Sequence, residues 1–244
     1  MELIGMSFSP YSEKARWALD HHRVPYVWRE HVPLLGEIPL RARTRTWRGR
    51  VSVPLIVDGP LVVTDSTDIA RYAERIGRGE QLFAEEAAVL TWAQRSTAAL
   101  AAGRVTMLAR LLEDREALHD SAPRFIPRAV RSAALPAVVS TVRFLQRKYA
   151  TRAVDHDRAQ ATMREVLLTL RSALAYRETV LADFSFADIA MAVVLQMVSP
   201  VANAYIPLRK AQRRAWSDAT LAREFADLVE WRDRVYAKRR RGSA

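Results

Sequence analysis

Residues 9–12 read Ser-Pro-Tyr-Ser and lead into PYSEKARWALDHH, a stretch with helical spacing. Hydroxyls placed there can donate hydrogen bonds to an anion at a helix start, where free N–H groups and the macrodipole already favour negative charge. With cysteine in place of Ser9 and Ser12 the frame would be a dithiol redox motif, yet the 244-residue chain contains no cysteine. That excludes structural disulfides, a Cys-ligated zinc and any thiolate belonging to the protein.

A second chemical signal lies in TDSTDI, where Asp65 and Ser66 fall at the end of one element and the start of a helix. Either residue can cap the helix, for about 1 kcal/mol. The same free N–H groups also attract a ligand carboxylate. In SVPLIVDG, Pro54 precedes an apolar run; lacking an N–H, it belongs at a strand start or edge. His21, His22, His31, His119 and His156 show no metal spacing, so no metal site is expected. FSFADIAMA places Ser185 and Asp188 as a capping box, with Phe184 and Ile189 as a hydrophobic staple. This last motif is a folding signal and not a site.

The elements that must position these residues change character near residue 80. MELIGM is a strand-length run, and helical PYSEKARWALDHH follows, with Ala15, Ala18, Leu19 and His22 on one side. VPYVW reads as a strand and LLGEIPLRARTR as an irregular segment with room for a short helix. PLIVD and LVVT form a hairpin around Asp58-Gly59, and STDIARYAERIG is a helix stopped by Gly77. The order is β-α-β-α-β-β-α. Residues 79–84 form a short connection between a domain of residues 1–78 and a second of 85–244. In the latter, helical stretches dominate through 85–118, 124–149, 155–181, 186–199 and 218–239. Pro123, Pro127, Pro136, Pro200 and Pro207 punctuate them as starts and stops. The expected class is a small α/β domain followed by an all-helical one.

The net charge is +11, and residues 1–83 hold 12 Lys and Arg against 10 Asp and Glu, a net of +2. The remaining +9 lies beyond residue 83, much of it in RKAQRR (209–214) and KRRR (238–241). Such runs can bind a phosphate backbone. No aromatic-interleaved basic strand or reading helix accompanies them, so a solvated helix face and a frayed basic tail are expected instead of a nucleic-acid surface. MELIGMSFSP lacks the basic-then-apolar pattern of a secretory signal. No run of about 18 uncharged apolar residues is present. A soluble cytoplasmic protein without a membrane partner is expected.

SFSPYSEKARWAL, SVPLIVDG, TDSTDIARYAE and FSFADIAMA, in that order and spacing, resemble the cytosolic glutathione transferases over nearly the whole chain. The resemblance implies a thioredoxin-like N-terminal domain that binds glutathione and an all-α C-terminal domain that shapes the pocket for a small hydrophobic electrophile. It implies a homodimer with a detoxification role, and glutathione as co-substrate. It implies a cis Val53–Pro54 bond, with the backbone of Val53 pairing with the cysteinyl part of glutathione, and Asp65-Ser66 gripping its γ-glutamyl end. The family pattern there has Glu, so Asp65 is one methylene shorter. Ser9 stands where cysteine-type members keep their cysteine; its hydroxyl would stabilise the glutathione thiolate, with Tyr11 as the rival hydroxyl. Arg50 is the nearest match for a group meeting the glycine carboxylate, with Arg48 and Trp47 as alternatives, because Ser52-Val53 widens the usual spacing. A different class stays open: a non-enzymatic relative that binds ligands or partners.

Overall fold

A computed structural model describes residues 1–123, 126–127, 130–151 and 154–240. Its first part runs β1 (Glu2–Gly5), α1 (Pro10–His21), β2 (Val27–Glu30), α2 (Glu37–Thr44), β3 (Leu55–Asp58), β4 (Leu61–Thr64) and α3 (Ser66–Ile76). The expected element order is present. The sheet order is β2-β1-β3-β4, with β1–β2 parallel and the two other pairs antiparallel. Parallel pairing of β1 with β2 requires a crossover, and α1 supplies it. β2 begins later than the VPYVW reading, because Pro25 has no N–H to give and pairing with β1 starts at Glu2↔Val27. In the hairpin Asp58 pairs with Leu61, so the turn residues are Gly59 and Pro60. Gly59 takes φ +57°, the conformation a two-residue hairpin asks of its first central residue.

Helices fill the rest: α4 (Glu86–Glu113), α5 (Arg115–Asp120), α6 (Arg131–Lys148), α7 (His156–Ala173), α8 (Phe186–Val194), α9 (Lys210–Trp216), α10 (Ala219–Glu224) and α11 (Ala226–Arg239). Several expected stretches are broken. Asp114 ends α4 and caps α5 by accepting from Ala117 N–H, and Phe225 separates α10 from α11. α7 stops at Ala173, short of residue 181, and α8 passes into a 3-10 turn at Leu195–Met197. Pro136 corrects the punctuation reading, since it lies inside α6 and not at its end. The start of the 124–149 stretch falls partly outside the described residues.

One core joins both parts. Trp17, Leu19 and Ile69 of α1 and α3 share it with Val89, Leu100, Phe186 and Ile189 of α4 and α8. α8 is buried along its whole length, and its capping box is present: Ser185 Oγ accepts from Ala187 N–H while Asp188 accepts from Ser185 N–H. Asp188 also accepts from Val180 N–H at 2.7 Å, which ties the preceding loop to the helix start. Burial pushes its carboxyl up, against these hydrogen bonds.

Candidate functional site

The chain leaves β1 at Gly5 and turns into α1 through Ser9. Ser9 N–H donates to Met6 C=O and Ser9 C=O accepts from Glu13 N–H, both at 2.9 Å. Pro10 sits at the first helical position, where its missing N–H costs nothing. Ser9 occupies the N-cap with extended backbone, yet its side chain makes no capping hydrogen bond. The residue is buried, at 6% exposure, and its hydroxyl has no partner among the described residues. Ser12 differs. Its hydroxyl accepts from Met6 N–H at 3.1 Å and lies so close to Gly5 that a Cβ there would meet it at 2.7 Å. One serine braces the turn, and the other is left open.

Tyr11 is half-buried, and burial raises its pKa against the pull of the Arg104 guanidinium. Arg104, from α4, lies 5.0 Å from the Tyr11 ring centre and 4.0 Å from that of Tyr149, which follows α6. On α1 the Lys14 ammonium is 5.0 Å from the Tyr11 ring centre. Lys14 has 0% exposure and no hydrogen-bond partner for Nζ. Burial lowers its pKa to about 8, partly offset by the negative charge of Asp65.

Asp65 has φ +73°, a region that favours glycine, and it caps α3 by accepting from Thr67 N–H at 2.7 Å. Non-glycine backbone held there is strained, and such strain concentrates at functional sites. Ser66 is buried with its hydroxyl unpartnered, and as the first residue of α3 it has no intrahelical acceptor for its N–H. The Val53–Pro54 bond is cis. Val53 packs with Ile4, Leu40, Val51 and Leu55, just before β3. Among the described residues its N–H and C=O have no partner.

Arg50 is exposed, with its guanidinium 5.5 Å from the Tyr149 ring centre. Arg48 and Trp47 are exposed, and no contact links either to the other site residues. Tyr11, Asp65 and Arg50 are therefore connected through shared neighbours: Asp65 acts on Tyr11 and Lys14, and Arg50 meets Tyr149 beside Arg104. Lys14, Arg104 and Tyr149 escape the sequence reading. For Lys14 a signal exists, since it lies four residues before Ala18 on the inward side of α1 and so places a charge on an apolar face. Arg104 and Tyr149 belong to long helical stretches with no motif around them.

The basic runs are used internally. Arg209 donates to Asp120 and Ala122 carbonyls, Arg213 to those of Pro200 and Val201, and Arg214 pairs with Asp114 and Glu116. Arg240 is buried, with Nε 2.7 Å from Glu13 and Nη1 2.6 Å from Asp20. This corrects the frayed-tail expectation as far as residue 240; Arg241 lies outside the described residues. Among the described residues no group of His, Cys, Asp and Glu could hold a metal, and no helix is long and apolar enough to cross a membrane.

Residues 3–81 match the glutathione S-transferase N-terminal domain family. Solved structures similar over almost the whole chain include a glutathione S-transferase from Methylobacterium radiotolerans in complex with glutathione sulfonate. It is 17% identical, with 97% of this chain and 90% of that chain covered and a TM-score of 0.59. A class Gtt2 enzyme of Vibrio parahaemolyticus is 15% identical, with 98% and 94% covered and a TM-score of 0.54. A glutathione S-transferase from Methylobacillus flagellatus with glutathione bound is 17% identical, with 95% and 97% covered and a TM-score of 0.53. No curated protein matches the chain in sequence. Residues 3–81 thus match a glutathione S-transferase N-terminal domain, and the chain as a whole has the glutathione S-transferase fold, with a thioredoxin-like first part and an all-helical remainder.

Proposed function

We propose that this protein is a glutathione transferase that activates the glutathione thiol through Ser9 and adds it to a small electrophile. The observation that carries the reading is the Ser9 hydroxyl, set at the start of α1 and free of capping duty. A thiol with a reference pKa of about 8.5 is mostly protonated at neutral pH. A hydroxyl donating to the sulfur, together with the positive end of α1, favours the reactive thiolate. Serine cannot form a mixed disulfide, so the chemistry is conjugation and not thiol exchange through the protein.

The remaining groups fit a γ-glutamyl tripeptide. The unpaired N–H and C=O of Val53 can add the cysteinyl backbone like an extra strand. The Ser66 N–H at the start of α3 offers a seat for the γ-glutamyl carboxylate, and Asp65 faces its ammonium. Lys14 adds positive charge beside that seat. Arg50 is the candidate for the glycine carboxylate, as a flexible exposed cation preceding Val53. Two structural relatives, one in complex with glutathione sulfonate and one with glutathione, support this ligand. The reading includes a cytoplasmic homodimer, supported by exposed Val27, Leu35, Ile38 and Trp47 on the first part of the chain. Calorimetry with glutathione tests it. Binding at micromolar to low millimolar concentration is expected, and no binding would leave a ligand- or partner-binding relative as the reading.

A further inference from the structure

Arg104 is half-buried and shares a side-chain hydrogen bond with the Tyr11 phenol, yet among the described residues no carboxylate or carbonyl accepts from it. The other buried or half-buried arginines of the helical part behave differently: Arg110 pairs with Asp218, Arg213 with three acceptors, Arg232 with Asp233 and two carbonyls, and Arg240 with Glu13 and Asp20. A half-buried guanidinium held by a neutral phenol has its charge uncompensated, so it calls for an anion.

The geometry narrows what that anion is. At 4.0 Å from the Tyr149 ring centre and 5.0 Å from that of Tyr11, Arg104 lies against aromatic faces. Stacking occupies the planar face of a guanidinium and leaves its N–H edge for a bidentate carboxylate. Around it stand Lys14, fully buried with Nζ unpartnered, and Arg50 over the same Tyr149 ring. Lys148 is close to that ring as well, but it is neutralised by Glu37. With Lys14 and Arg50 facing the two carboxylates of glutathione and Asp65 facing its ammonium, Arg104 is the cation left for the second ligand. The charged part of that ligand faces Arg104, and its body faces two phenol rings.

We propose that the second substrate is an anionic, planar electrophile, a carboxylate on an aromatic or conjugated skeleton, with Arg104 holding the carboxylate and Tyr11 and Tyr149 flanking the plane. This rests on the glutathione-conjugating reading, and it adds a negative charge to the small hydrophobic electrophile that the family resemblance implies. For an aryl halide of this class the thiolate attacks the ring carbon bearing chlorine, the C–S bond forms, and chloride leaves with the C–Cl electron pair.

The test pairs 4-chloro-3-nitrobenzoate with its neutral isostere 4-chloro-3-nitrobenzamide, each kcat/KM divided by the uncatalysed rate constant with glutathione. The parent should prefer the carboxylate by about tenfold or more, as a charge-assisted hydrogen bond predicts. Arg104→Gln should bring the ratio close to one, and Arg104→Lys should keep part of it. Equal use of both probes by the parent overturns the proposal. So does an Arg104→Gln variant that keeps the ratio and loses glutathione affinity instead, for Arg104 would then serve glutathione. Calorimetry with 3-nitrobenzoate and 3-nitrobenzamide, without glutathione, separates the two readings. Arg104-dependent binding of the benzoate alone supports the anion pocket even where conjugation fails, and equal binding of both refutes it.

Discussion

Glu13 and Lys14 are neighbours on α1, and both are almost completely buried. Glu13 meets Arg240, which follows α11, in a charge cluster completed by Asp20. Lys14 points to the opposite arrangement, an ammonium with no hydrogen-bond partner beneath Tyr11. Burial alone would lower the pKa of Arg240, but the charges of Glu13 and Asp20 outweigh it and raise the value. For Lys14 burial wins, and the pKa falls to about 8. A buried charge whose needs are met belongs to the fold. One whose needs are unmet marks where the fold has been left incomplete for something else.

The clasp should give the largest effect when broken. Arg240→Met leaves Glu13 buried with only the more distant Arg16, 3.7 Å away, and removing one partner of a buried pair costs about 3–5 kcal/mol. Urea melts should show that loss, while Glu13→Gln combined with Arg240→Met should recover much of it. A melt of Arg240→Met that coincides with the parent would mean the tail is frayed in solution after all.

Lys14 should move stability the other way. Lys14→Met removes an unpaired buried ammonium, and the pKa depression corresponds to roughly 3 kcal/mol at most. The unfolded chain holds this proton up to about 10.5 and the folded protein releases it near 8, so parent stability should rise with pH between these values. The methionine variant should be more stable at pH 7 and should lack that rise. A variant that unfolds more easily at pH 7 would show that Lys14 already has a partner.

Ser66 sharpens the contrast within the site. Its hydroxyl is buried and unpartnered, so Ser66→Ala should leave the stability of the free protein unchanged or slightly raised. The same change should weaken glutathione binding by roughly tenfold or more, as expected for a hydrogen bond to a charged group. Calorimetry beside a thermal melt reads both quantities. An unchanged affinity would restrict the seat at α3 to the backbone.

How far the sequence discloses these features follows from their range. The hairpin, the α8 capping box and the start of α3 are written in residues a few positions apart, and all three are present. The start of β2 was misplaced because pairing with β1, not local propensity, decides where a strand begins. Arg240 read as a tail because its partners lie 227 and 220 positions away. Arg104 and Tyr149 escape the sequence for the same reason, since only the fold brings residues this far apart in the chain together around Tyr11. Ser9, Asp65 and Ser66 are legible as helix-start residues, because helix starts have a local grammar.

The smallest change tests the hydroxyl proposed to activate the thiol. Ser9→Ala removes one donor from the start of α1 and nothing from its capping, because the side chain makes no capping bond. Stability should therefore hold, and glutathione affinity should change little, as the proposed role sets the hydroxyl against the sulfur and not the charged ends of the peptide. The conjugation rate should fall by about tenfold, the worth of one hydrogen bond to a charged group. Rate loss at constant affinity identifies an interaction used in thiolate formation or in the transition state. The pH–rate profile should also move to higher pH, because without the donor the bound thiol is harder to ionise. Tyr11→Phe is the control, since burial already raises the pKa of that phenol and its ring is engaged by Lys14 and Arg104. If Tyr11→Phe loses the rate and shifts the profile while Ser9→Ala keeps both, the activating hydroxyl is Tyr11. If neither matters, the α1 dipole and the backbone activate the thiol alone. Ser9→Cys adds a positive readout: a cysteine at this helix start should gain glutathione-dependent disulfide reduction, attacking a disulfide and being released by glutathione.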